Sequence, residues 1–79
     1  MVDQEVTVYW RPGCGFCARL LGDIDRAGLA HRKVNIWDKP EAAAFVRSVA
    51  NGNETVPTVT VGKKAFVNPS LQQLQDAIN

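Results

Sequence analysis

The residues with the greatest chemical capacity are two cysteines in Cys14-Gly15-Phe16-Cys17, the only cysteines among 79 residues. A secreted domain of this size normally spreads its disulfides along the chain to compensate for a small core. A bridge across two intervening residues closes too short a loop to stabilise much, so the pair reads as chemical rather than structural. Thiol-disulfide exchange and metal ligation both use such a pair. A closed zinc site takes four Cys or His ligands, and His31 is the only other candidate, so no metal site is expected. Standing alone at the start of a strand, His31 is expected to be a surface or internally satisfied histidine.

The elements that must position the pair follow from apolar periodicity. Val6, Val8 and Trp10 alternate with Thr7 and Tyr9 and stop at Pro12-Gly13, which predicts a strand. Cys17, Leu20, Leu21 and Ile24 then recur at helical spacing up to a stop at Gly28. His31 to Trp37 predicts a second strand carrying Val34 and Ile36. In the next segment Asp38 can cap a helix, Pro40 suits its first turn and Glu41 completes a capping box. That helix turns Ala42, Phe45, Val46 and Val49 inward and closes at Asn51-Gly52. Beyond Pro57, Thr58 to Val61 and Ala65 to Val67 flank Gly62-Lys63-Lys64, a hairpin with three connecting residues. Ser70 and Gln73 form a second capping box, opening a helix that buries Leu71, Leu74 and Ile78.

The order is βαβαββα, an α/β arrangement with a parallel pair joined by a right-handed crossover and an antiparallel edge. No repeat, linker or low-complexity break divides the chain, so residues 1–79 are expected to form a single domain.

This placement gives the cysteines unequal roles. Cys14 falls where the first strand passes into the first helix, so unpaired helix N–H groups and their partial positive charge point at its sulfur. Arg11, three residues earlier, adds positive charge and favours the thiolate. Cys17 lies on the inward stripe of the helix and should be more buried, so Cys14 attacks and Cys17 can resolve. If the Cys14 pKa fell from about 8.5 to about 7, the thiolate fraction at pH 7 would rise roughly 16-fold. Intrinsic nucleophilicity would fall about 5-fold, leaving only about a 3-fold gain in attack rate. The larger benefit is that Cys14 becomes a good leaving group when a second thiol attacks its mixed disulfide.

Composition narrows the partners. Hydrophobic residues make up 46% and charged residues 22%, proportions of a packed globular domain rather than a disordered one. The net charge is +1, and no run of like charge exceeds the pairs Arg32-Lys33 and Lys63-Lys64, so neither nucleic acid nor membrane is expected as a partner. The longest apolar run, Ala42 to Val46, is far too short to span a bilayer. The opening Met1-Val2-Asp3-Gln4-Glu5 has neither the basic nor the apolar region of a leader. A soluble, cytoplasmic monomer is expected. Trp10 and Trp37 read as core or rim packing at the ends of the two parallel strands.

A strand, a C-x-x-C at a helix start and a later Val-Pro before a strand together resemble the thioredoxin fold, and over nearly the whole chain the resemblance is closest to glutaredoxins. Tyr9 with Arg11 matches that family's Tyr-x-Lys/Arg, Cys14-Gly15-Phe16-Cys17 its active-site loop, and Thr55-Val56-Pro57 its T-V-P. The resemblance implies a thioredoxin-like, glutaredoxin-type fold with a mixed four-stranded sheet and three helices. It also implies a cis Val56-Pro57 bond beside the nucleophile and a thiol-binding set of Arg11, Phe16, Thr55, Val56, Pro57, Asn68 and Ser70. The glycine pair of glutathione-using members aligns with Val67-Asn68, and their acid, which pairs an ammonium, aligns with Ser70. Glutathione is thereby disfavoured.

Asn68-Pro69-Ser70 and the stretch from Asn51 to Val59 resemble the mycoredoxins, actinobacterial glutaredoxin-like proteins acting on mycothiol, a cysteine joined to an inositol-bearing aminosugar. A neutral sugar wants hydroxyl and amide partners such as Asn68, Ser70 and Asn53. The resemblance implies an oxidoreductase that reduces mycothiol-protein mixed disulfides by a mainly monothiol route through Cys14. Its partners would be S-mycothiolated proteins, with mycothiol as co-substrate and no tightly bound cofactor. Two other readings stay open: an NrdH-type dithiol electron donor to ribonucleotide reductase, and a glutaredoxin holding a 2Fe-2S cluster, which Gly15 permits.

Overall fold

The computed structural model describes residues 4–78, so Met1, Val2 and Asp3 of the leader reading lie outside the described residues. Seven elements follow in the expected order: β1 (Val6–Trp10), α1 (Gly15–Arg26), β2 (Arg32–Asn35), α2 (Pro40–Val49), β3 (Thr58–Val61), β4 (Lys64–Val67) and α3 (Leu71–Ile78). The sheet order is β2-β1-β3-β4. β1 runs parallel to β2, with Thr7 opposite Arg32 and Trp10 opposite Asn35. It runs antiparallel to β3, with Val6 opposite Val61 and Tyr9 opposite Thr58, and β3 and β4 are also antiparallel. The mixed four-stranded sheet with three helices is the architecture that the resemblance implies.

Strand alternation sends side chains to two packed layers. On one face Val6, Val8, Val59 and Val61 meet Leu20 and Ile24 of α1 and Leu74 of α3. On the other, Tyr9 packs against α2, its ring 5.1 Å from that of Phe45. Ile36, Ala42, Ala43, Val46, Ala50 and Val56 fill this second cluster, and Cys17 is buried among them. Ala43 joins Ala42 and Val46 as a buried residue of α2, while Phe45 and Val49 are only half-buried.

Three local details differ from the sequence reading. β2 is shorter than His31 to Trp37, because the chain turns at Ile36: its N–H still donates to the Trp10 carbonyl at 2.9 Å, and Asp38 N–H closes the turn onto the Asn35 carbonyl at 3.1 Å. Asp38 does not cap α2. Pro40 takes the first helical position, which leaves Lys39 as the N-cap with no side-chain cap bond and puts Asp38 one residue too early. The hairpin connection is two residues rather than three, since Val61 pairs with Lys64. Gly62 supplies the positive φ (+59°) that so tight a turn demands.

The capping box of α3 forms reciprocally: Gln73 N–H donates to Ser70 Oγ at 3.2 Å, and Ser70 N–H donates to Gln73 Oε1 at 2.9 Å. Among the described residues no helix is long and apolar enough to cross a membrane.

Candidate active site

The site begins where β1 ends. Pro12-Gly13 turns the chain, with Gly13 at φ +77°, and delivers Cys14 to the N-cap of α1 in an extended conformation (φ −95°, ψ 110°). An N-cap side chain accepts from the orphan N–H groups of the first turn, a task usually given to an oxygen. Here sulfur performs it: Cys17 N–H donates to Cys14 Sγ at 3.3 Å. Neither cysteine is bridged, Cys14 is half-exposed, and Cys17 is only 1% exposed.

These surroundings drive the two thiols apart. Burial opposes the Cys14 thiolate, but hydrogen bonds from the Cys17 thiol and N–H, the Arg11 charge and the Phe16 N–H outweigh it and hold the pKa below that of an ordinary cysteine. Cys17 is pushed up to about 11, first by burial, then by donating its proton to Cys14 and by the negative charge there. At pH 7 only about one Cys17 in ten thousand would be ionised. One equivalent of iodoacetamide at neutral pH should therefore modify Cys14 alone, with Cys17 reacting only as the pH climbs toward 11, as mass spectrometry of the digested protein will read directly. Equal labelling of both thiols at pH 7 would contradict this asymmetry.

Val56-Pro57 is cis, and the Val56 carbonyl lies 3.6 Å from Cys14 Sγ. Val56 and Pro57 are buried, and Thr55 is half-buried with its carbonyl taken by Thr58 Oγ1 at 2.7 Å. On the far side of the loop Asn68, at φ +52°, donates its N–H to the Pro57 carbonyl at 2.7 Å. This bond joins the segment before α3 to the loop that borders the nucleophile. Asn68 and Ser70 then share a groove of about 250 Å³ with Phe16, which is 65% exposed.

The structure thus brings Cys14 against Val56, and Phe16 against Asn68 and Ser70. Asn53 is spent at the end of α2, where its Nδ2 donates to the Ala50 carbonyl at 3.2 Å. His31 is satisfied locally, with Nδ1 2.9 Å from the Leu29 carbonyl. Arg19 and Asp23, which also line the groove, were not singled out from sequence, although their spacing of three and seven residues from Phe16 places all three on one helix face. Trp37 reads from the sequence as packing, yet it is 63% exposed and carries the Arg11 guanidinium 5.8 Å from its ring centre. Its partnership with Arg11 spans 26 residues of chain and leaves no periodic signal.

Comparison with known proteins agrees with this geometry. The glutaredoxin family model matches residues 6–67. A Mycobacterium tuberculosis protein named as a glutaredoxin is 36% identical over 76 residues, covering 95% of this chain and 90% of that protein. Mycoredoxin 1 of Corynebacterium glutamicum is 36% identical over 56 residues, 71% of this chain and 68% of that protein. Among solved structures, the glutaredoxin of Archaeoglobus fulgidus superposes with a TM-score of 0.78 at 25% identity, over 96% of this chain and 87% of that one.

Proposed function

This chain belongs to the glutaredoxin family and is a thiol-disulfide oxidoreductase, and from that premise we propose that it reduces mixed disulfides between proteins and mycothiol by a monothiol route. The observation that carries the route is the inequality of the two thiols: a half-exposed Cys14 with a depressed pKa, and a Cys17 that is 1% exposed with its pKa pushed up to about 11. In the first step the Cys14 thiolate attacks the mycothiol sulfur of the mixed disulfide. A Cys14–mycothiol bond forms, and the client leaves as a thiolate that takes a proton from water. A second mycothiol thiolate then attacks the mycothiol sulfur held on Cys14, giving mycothiol disulfide and regenerating the Cys14 thiolate. The cycle neither gains nor loses electrons at the protein, and Cys17 enters it only by a side reaction that expels mycothiol from Cys14.

The cosubstrate assignment is supported by the residues around the groove. Ser70 stands where the glutathione-using members carry an acid, and Asn68 and Ser70 offer amide and hydroxyl partners suited to a neutral sugar. Ser70 Oγ is already an acceptor in the α3 cap, so its hydroxyl proton is the part free to serve a ligand. Arg11, Phe16, Thr55, Val56 and Pro57 complete the proposed thiol-binding set, in a cytoplasmic monomer whose thiol cosubstrate is not tightly bound. The relationship to a mycoredoxin points the same way.

Turnover of 2-hydroxyethyl mixed disulfides of mycothiol and of glutathione, each with its own thiol and reductase, tests the assignment. Two or three sugar hydrogen bonds correspond to a preference for mycothiol of about tenfold or more. Equal rates would remove the assignment, and efficient recharging by thioredoxin reductase alone would favour the electron-donor reading.

A further inference from the structure

We propose that Trp37 is a positioning residue for the thiol chemistry, holding the Arg11 guanidinium on the side of the site where Cys14 ionises. Trp37 has no place in the core: at 63% exposure it buries little apolar area, so packing does not account for it. Its backbone is nevertheless fixed in place. Ile36 N–H donates to the Trp10 carbonyl at 2.9 Å, and Trp37 N–H donates to Asn35 Oδ1 at 2.9 Å. These bonds tie the turn after β2 to the end of β1, one residue before Arg11. The guanidinium stands over the indole, 5.8 Å from its centre, while Arg11 Nη1 donates to the Pro12 carbonyl at 3.2 Å. Held by the ring on one side and the carbonyl on the other, a side chain with four rotatable bonds loses much of its freedom to swing into solvent.

Arg11 supplies the full positive charge among the groups that favour the Cys14 thiolate, beside the hydrogen bonds from the Cys17 thiol and from the N–H groups of Cys17 and Phe16. The charged or titratable groups acting on Cys14 are Cys17, on the same helix, and Arg11. The cis-proline loop contributes only the Val56 carbonyl at 3.6 Å, whose partial negative charge disfavours a thiolate. From the β2–α2 turn, the Trp37 ring is what engages the Arg11 guanidinium. Truncating the indole leaves Arg11 in the sequence and releases it in space.

The pH dependence of Cys14 alkylation in the full chain tests this. Trp37→Ala should move the inflection upward by about 0.3–0.5 pH unit, cutting the thiolate fraction at neutral pH about 2- to 3-fold. Trp37→Phe, which keeps an aromatic face, should restore most of the shift, and Arg11→Ala should match or exceed it. In an Arg11→Ala background, Trp37→Ala should add nothing. An unmoved inflection in Trp37→Ala overturns the proposal, as does a shift that persists undiminished without Arg11. Thermal midpoints of all variants measured alongside exclude unfolding as the cause, since a Trp37→Ala chain that shifts the inflection while melting with the wild type can do so only locally.

Discussion

Cys14→Ser will abolish turnover of mixed disulfides, by about three orders of magnitude or more, whereas Cys17→Ser will retain it within a few-fold. The first effect follows because a hydroxyl at the N-cap accepts the Cys17 N–H as well as sulfur does, but does not ionise near neutral pH and cannot form a disulfide. The helix start survives and the chemistry does not. The second follows from where Cys17 sits: 1% exposed, with its pKa pushed up to about 11, it is a poor nucleophile and makes its main contribution as a donor to the Cys14 thiolate. A serine hydroxyl can keep that donation, whereas Cys17→Ala cannot, so the alanine variant should show a higher Cys14 pKa than the serine one. Steady-state rates on one mixed disulfide, with the alkylation profile of each variant, separate these effects. Loss of activity in Cys17→Ser would indicate a dithiol cycle instead.

Ile24→Ala will destabilise the fold by about 3 kcal/mol, within the 2–5 kcal/mol range of comparable truncations in packed cores. Ile24 is fully buried on α1, where it meets Val8 and Val59 of the central strands and Leu74 of α3. The sheet and two helices fix the walls, so the space left by the side chain cannot collapse fully. Total stability for a domain of 79 residues is on the order of 4–12 kcal/mol, so the loss is a large share of it. At about 4–8 °C per kcal/mol, the thermal midpoint should fall by roughly 15 °C. Phe16→Ala is the contrast: Phe16 is 65% exposed, so removing its ring should leave the midpoint nearly unchanged. A drop for Phe16→Ala as large as that for Ile24→Ala would show that the groove wall carries the fold as much as the core does.

The element order, the strand-helix junction at Cys14 and the inward position of Cys17 were legible in the sequence because each depends on neighbours a few residues away. Alternation in Val6–Trp10 and helical spacing from Cys17 to Ile24 are local geometry. The Ser70-Gln73 box closes within one turn, and both its bonds form. Asp38 shows the limit of the same reasoning: the residue type was right for a cap, but Pro40 set the helix start one position later. Phe16, Asn68 and Ser70 were named from family resemblance, and no local pattern in this chain ties them together.

Tertiary structure alone decided how the pieces meet. Cys14 reaches the Val56 carbonyl across 42 residues of chain, and Asn68 binds the Pro57 carbonyl across the start of a hairpin. Arg19 and Asp23 line a groove with Asn68 and Ser70 only because α1 packs beside the start of α3. Trp37 covers Arg11 only because β1 and β2 run parallel and end together. The physical reason is common to all of these. Periodicity and capping record interactions within one or two turns, whereas the thiol's partners are chosen by the burial of Val8, Val59, Ile24 and Leu74, which brings distant segments to the same end of one sheet.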